Sequence, residues 1–104
     1  MTEQQTTWTF LTNHSHVLYA ISKTADIRVR EISALVGITE RAVLRIIQEL
    51  ADGGFVGIEK VGRENRYSVT SAVPLRHPLE QHRQVSELLE MLAEDEDETG
   101  SGNN

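Results

Sequence analysis

The chain has no cysteine, which removes disulfide frameworks, zinc-thiolate sites and thiol nucleophiles together. No apolar run approaches the roughly 18 residues a membrane span needs, and the N-terminus has no basic-then-apolar signal pattern. A soluble, cytoplasmic protein with no membrane partner is expected. At 104 residues there is material for one small domain. Such a domain buries roughly 60–70% of its unfolded surface and is marginal unless something, commonly dimerisation, adds to the core.

Basic charge is scarce as well: the formal net charge is −6, which taken whole argues against nucleic acid. Its distribution reverses the inference. Residues 13–78 hold nine Lys/Arg against seven Asp/Glu, a net of +2, whereas residues 79–104 hold Arg83 against eight acids, a net of −7. A mildly basic domain is followed by a strongly acidic tail. A net of +2 is modest for a DNA binder, and a rival reading stays open.

Residues 29–50 are the part the rest is arranged around. Ile32, Leu35 and Val36 follow helical spacing, Gly37 supplies a positive-φ stop, and Thr39 is the N-cap of a second periodic run. That run, residues 40–51, sends Val43, Ile46, Ile47 and Leu50 inward at i, i+3, i+4 and i+7. It leaves Glu40, Arg41, Leu44, Arg45 and Gln48 on the opposite face. A helix anchored in this way can enter a DNA major groove, where arginine pairs bidentately with guanine, glutamine pairs with adenine, and leucine touches a thymine methyl.

Ahead of this pair, residues 1–7 read as a disordered N-terminus. Trp8, Phe10 and Leu11 precede a helix over 14–23 whose Val17, Leu18 and Ile21 point inward. Lying outside that helix, the aromatics either cover the domain's own core or form an arm across a dimer interface. Asn13 and His14 are placed to cap the helix and to meet a phosphate. Asp26-Ile27-Arg28 reads as a short strand. After Leu50, Asp52-Gly53-Gly54 stops the helix, and runs 55–61 and 66–70, joined by Gly62-Arg63-Glu64-Asn65, form a hairpin. Beside a helix-turn-helix this hairpin is a wing whose tip bears Arg63, Asn65 and Arg66.

Pro74 and Pro78 frame a turn into a last helix, with Pro78 at an allowed first-turn position. Val85, Leu88, Leu89 and Leu92, flanked by Leu79 and Met91, repeat the i, i+3, i+4, i+7 stripe. The first three helices already supply a core, so this stripe calls for a partner subunit, or for its own domain if the helix folds back. Trp8, Phe10, Leu11, Leu79, Val85, Leu88, Leu89 and Leu92 are the expected dimer interface. Residues 94–104 form an acidic, Gly/Ser/Asn tail expected to be disordered.

Metal and catalytic chemistry find little support. His14 and His16 stand about 200° apart on a helix and His77 and His82 about 140° apart, so neither pair chelates locally. Ser15 lies between two histidines but has no orienting acid or oxyanion donor, and Gly53-Gly54 lacks the pattern of a phosphate-binding loop. No metal, cofactor or enzyme activity is expected.

Helix, helix, Gly-Ile-Thr-Glu-Arg-Ala-Val turn, helix ending in Asp-Gly-Gly-Phe, then a hairpin through Val-Gly-Arg-Glu-Asn-Arg-Tyr, resembles the winged helix-turn-helix regulators of the MarR and ArsR type, the small stand-alone ones above all. Trp-Thr-Phe-Leu-Thr-Asn-His and Pro-Leu-Arg-His-Pro-Leu-Glu are similar to segments of a group of short bacterial and archaeal proteins of this organisation. The fold class is then mostly α with a small β-hairpin, a winged helix-turn-helix over residues 8–93 with a three-helix core, a wing and a C-terminal dimerisation helix. The resemblance implies a dimeric transcriptional regulator, a repressor or autoregulator bound to double-stranded DNA. It puts Arg41, Ala42, Leu44, Arg45 and Gln48, with Thr39 at the turn, in the groove and Arg63, Asn65 and Arg66 of the wing near phosphate or minor groove. Many relatives carry polar side chains where this chain has Leu35, Leu44 and Ile58. ArsR-type metal sensors need ligand sets it lacks, and neither operator nor small-molecule effector is specified. The alternative is a winged-helix module that binds another regulator or a transcription component.

Overall fold

The computed structural model describes residues 8–24 and 26–94. Expectations for residues 1–7 and for the tail beyond residue 94 lie outside the described residues. The order is α1 (Asn13–Lys23), α2 (Val29–Val36), α3 (Glu40–Asp52), β1 (Val56–Val61), β2 (Glu64–Val69) and α4 (Val85–Leu92). The fold is a winged helix-turn-helix, and the chain divides into two compact units between Val69 and Thr70.

In the first unit α1 packs against α2, α3 and β2, and α3 packs also against β1. The inward stripes supply the core: Val17, Leu18 and Ile21 of α1, Ile32 of α2, and Val43, Ile46, Ile47 and Leu50 of α3 are all buried, joined by Phe55, Val56 and Tyr67. The turn between α2 and α3 has a local cause. Gly37 takes φ 86, which a Cβ would disfavour. Its N–H donates to the Ser33 carbonyl at 2.9 Å, and the Ser33 hydroxyl donates to the Ile38 carbonyl at 2.5 Å. The Thr39 hydroxyl then accepts from the Ala42 N–H at 3.0 Å, fixing the first turn of α3.

Three local expectations change. Residues 26–28 form no strand, because the Ile27 N–H donates to the Thr24 carbonyl and the Arg28 N–H to the Glu31 carboxylate, leaving neither for a ladder. The hairpin loop has two residues instead of four. Val61 pairs with Glu64 and Lys60 with Asn65, so only Gly62 (φ 64) and Arg63 turn the chain. Asn65 and Arg66 therefore belong to β2 and not to the tip. At the start of α1 the N-cap is Thr12, which makes no side-chain cap bond, and Asn13 spends its amide oxygen on His16 Nδ1 at 3.1 Å.

The aromatic pair does not cover the core either. Trp8 is 66% exposed and Phe10 92%, and the two rings meet edge to face at 5.0 Å.

In the second unit α4 starts later than Pro78. A bridge pairs Pro74 with Gln84, the Leu75 N–H donates to the Arg83 carbonyl, and the Val85 N–H donates to the Val73 carbonyl, each of the latter two at 2.9 Å. Pro78 and Leu79 sit in the turn this closes, where the Leu79 N–H donates to His77 Nδ1 at 3.0 Å. Helix begins only where the Glu87 carboxylate accepts the Gln84 N–H at 2.9 Å. Leu79 is thus exposed but not on the helix stripe, and Val85, at 1% exposure, is buried by the chain itself and is not on the exposed stripe. Leu88, Leu89 and Leu92 are half-buried. No helix among the described residues is long and apolar enough to cross a membrane.

Candidate nucleic-acid interface

With its rear stripe buried, α3 holds Arg41, Leu44, Arg45 and Gln48 on the exposed side, and Ala42 half-buried beside them. The two halves of this face differ. Arg41 has no ion pair or side-chain hydrogen bond among the described residues, and Leu44 is 52% exposed. Toward the C-terminal half the polar groups are engaged. Arg45 Nη1 donates to Glu49 at 3.2 Å, and the Gln48 amide donates to Asp52 at 3.0 Å. Thr39, at the other end, uses its hydroxyl on the Ala42 N–H.

His14 is not free at a helix start. Its Nε2 lies 2.7 Å from the second Glu49 oxygen, so Glu49 joins α1 to α3 and steadies Arg45 at the same time. The hydrogen bond with His14, reinforced by Arg45 and opposed by desolvation, holds the Glu49 carboxyl below the ordinary glutamate range.

The wing contributes unequally. Arg63, in the turn, has no partner among the described residues. Arg66 instead meets Asp26 at 2.9 Å, and Glu64 meets Arg28 at 2.7 Å. Exposed pairs of this kind are weak, about 0–1 kcal/mol each, so they bias the side chains without locking them. Asp26, Arg28, Glu64 and Arg66 border an open cleft of about 410 Å³ whose wall includes Leu44 of α3 and Val61 of β1. The exposed leucine of the helix and the turn-proximal end of the wing therefore share one surface.

Sequence reasoning missed Asp26, Arg28, Glu64 and Glu49 as parts of this surface. A signal existed for the first three: Asp-Ile-Arg at 26–28 and Glu-Asn-Arg at 64–66 carry opposite charges at the same two-residue spacing, the mark of complementary extended segments. Among the described residues no group of three or more His, Asp or Glu is gathered as metal ligands.

Residues 11–56 match a family described as winged helix-turn-helix DNA-binding. The matched segment runs through α1, α2 and α3 and stops where the wing begins, so the helices carry the sequence likeness and the structure adds the hairpin. That match supports a DNA-binding role for this segment. An uncharacterized protein of Methanocaldococcus jannaschii is 36% identical over 64 residues, which are 61% of this chain. This chain spans 14% of that protein's length.

Proposed function

We propose that the chain is a homodimeric, cytoplasmic transcriptional regulator of the MarR/ArsR type, a repressor or autoregulator, that reads double-stranded DNA in the major groove with α3. The observation that carries the reading is the two-sided helix: four apolar side chains buried behind, and Arg41, Leu44, Arg45 and Gln48 exposed in front. Arg41, which has no partner among the described residues, is the leading base contact, and Arg45 and Gln48 must exchange Glu49 and Asp52 for DNA to join it. Arg63 at the wing turn meets the backbone. Dimerisation would use the exposed Trp8 and Phe10, with Leu11, and Leu88, Leu89 and Leu92, and would set two reading helices about one turn of DNA apart.

An anisotropy titration against sites selected from random oligonucleotides tests this. Arg41→Ala should cost about 1–3 kcal/mol of preference for the selected site, whereas Arg63→Ala should weaken all duplexes alike and reduce the salt slope by about one. Exposed Leu35, Leu44 and Ile58 favour a second reading, a protein-interaction module. Absence of any duplex binding at about 50 mM salt, with a partner protein recovered in its place, would establish that reading.

A further inference from the structure

The cleft beside α3 holds two arginines that could meet phosphate, yet both are biased toward carboxylates. Arg66 is paired with Asp26 and Arg28 with Glu64, in a crossed arrangement that joins the segment before α2 to β2. The four groups cancel, so the surface next to Leu44 and Val61 presents no net charge to a duplex. Arg41 and Arg63 have no such partner among the described residues. Binding that ignores sequence grows with the number of cations free to neutralise phosphates, whereas base reading depends on the groups placed in the groove. Carboxylates on two arginines at the edge of a reading surface therefore act on the first and spare the second.

Resting on the DNA-binding reading above, we propose that Asp26 and Glu64 are positioning residues for selectivity: by holding Arg66 and Arg28 away from phosphate, they lower affinity for non-target duplex while leaving base reading by Arg41 intact. The same pairs bring the turn-proximal end of the wing to the segment before α2, so the two arginines are biased toward one place beside α3.

The test is a salt titration, from about 50 to 200 mM, of the full chain on a short random-sequence duplex. Asp26→Asn with Glu64→Gln should steepen the salt slope by about 1.8, roughly 0.9 for each arginine released, and narrow the ratio between selected and random sites. The control removes the same formal charge from Glu80 and Glu90, acids with no ion pair among the described residues, and should leave the slope unchanged. Asp26→Arg with Arg66→Asp restores an opposite-charge pair at constant net charge and should return the wild-type slope, which also guards against a folding defect. An unchanged slope in the first variant, or an equal change in the control, overturns the proposal. Wild-type protein that binds neither random nor selected duplex overturns the DNA-binding reading itself, and is recognised before any variant is compared.

Discussion

In α3, Val43, Ile46, Ile47 and Leu50 stand at i, i+3, i+4 and i+7, and all four are buried; in α4, Val85, Leu88, Leu89 and Leu92 stand at the same spacing, and only Val85 is. Periodicity selects the face of a helix that prefers to leave water. It does not say what will cover that face. For α3 the cover is local in the chain, since α1, α2 and β1 all pack on it. For α4 three leucines stay half-exposed on a helix of eight residues, shorter than the roughly 12–15 needed for independent helical stability. Such a helix gains from any surface that completes its burial, and a second copy is the surface proposed.

The sharpest way to break this contrast is to cut the same amount from both stripes. Ile46→Ala should cost about 2–5 kcal/mol in urea denaturation, because the site is enclosed and a cavity remains. Against a typical total of about 5–15 kcal/mol that is a large fraction. Leu88→Ala, measured at concentrations where the protein is monomeric, should cost about 1 kcal/mol or less. Equal costs would show the leucines of α4 to be as well covered as the isoleucines of α3.

Charge in the stripe of α4 separates folding from assembly. Leu88→Asp with Leu89→Asp should give monomers by sedimentation while the helical signal of the first unit persists. A variant still dimeric would move the interface away from these leucines, and a wild type already monomeric would remove it altogether.

The helix starts differ too, and more subtly. The side chain of the N-cap residue holds the first turn of α3, Thr39 accepting from Ala42, whereas α4 is held by Glu87 reaching back to Gln84. Thr39→Ala should therefore cost about 1 kcal/mol and fray the start of α3, read as lower stability by chemical denaturation. No loss would mean that packing alone fixes where α3 begins.

Much of this was legible from local rules. Gly37 and Thr39 bound the turn by conformational and capping preferences that act over a few residues, and the spacing of apolar and charged positions in α3 sorts its two faces without reference to any neighbour. What stayed hidden depends on partners far along the chain. Arg66 read as a wing contact because only the register of β2 beside residues 26–28 brings Asp26 to it. His14 read as a phosphate ligand because Glu49 is remote in sequence. Pro78 fits a helix start and a turn equally, and the bridge between Pro74 and Gln84 decides for the turn. Trp8 and Phe10 call for cover or a partner, and an apolar side chain alone does not say which.

The smallest expected effect concerns acid. Glu49 on α3 and Glu87 on α4 both sit below the ordinary glutamate range, Glu49 chiefly through its bond with His14 of another helix, Glu87 chiefly through the Gln84 backbone N–H of its own helix start, with Arg83 adding at 2.8 Å. A carboxyl whose folded value is depressed contributes stability that is complete above the unfolded value, about 4.3, and is lost as pH falls through the folded value. Melting temperatures of wild type and Glu49→Gln should therefore differ at neutral pH and converge below about pH 4. Glu87→Gln should converge over the same acid window, but its signature should be confined to the helicity of residues 85–92, because its bonds close on its own helix start while those of Glu49 tie α1 to α3. Coincident melting temperatures for wild type and Glu49→Gln across the whole range would mean that the tie between α1 and α3 contributes nothing to stability, and that Glu49 serves only to steady Arg45.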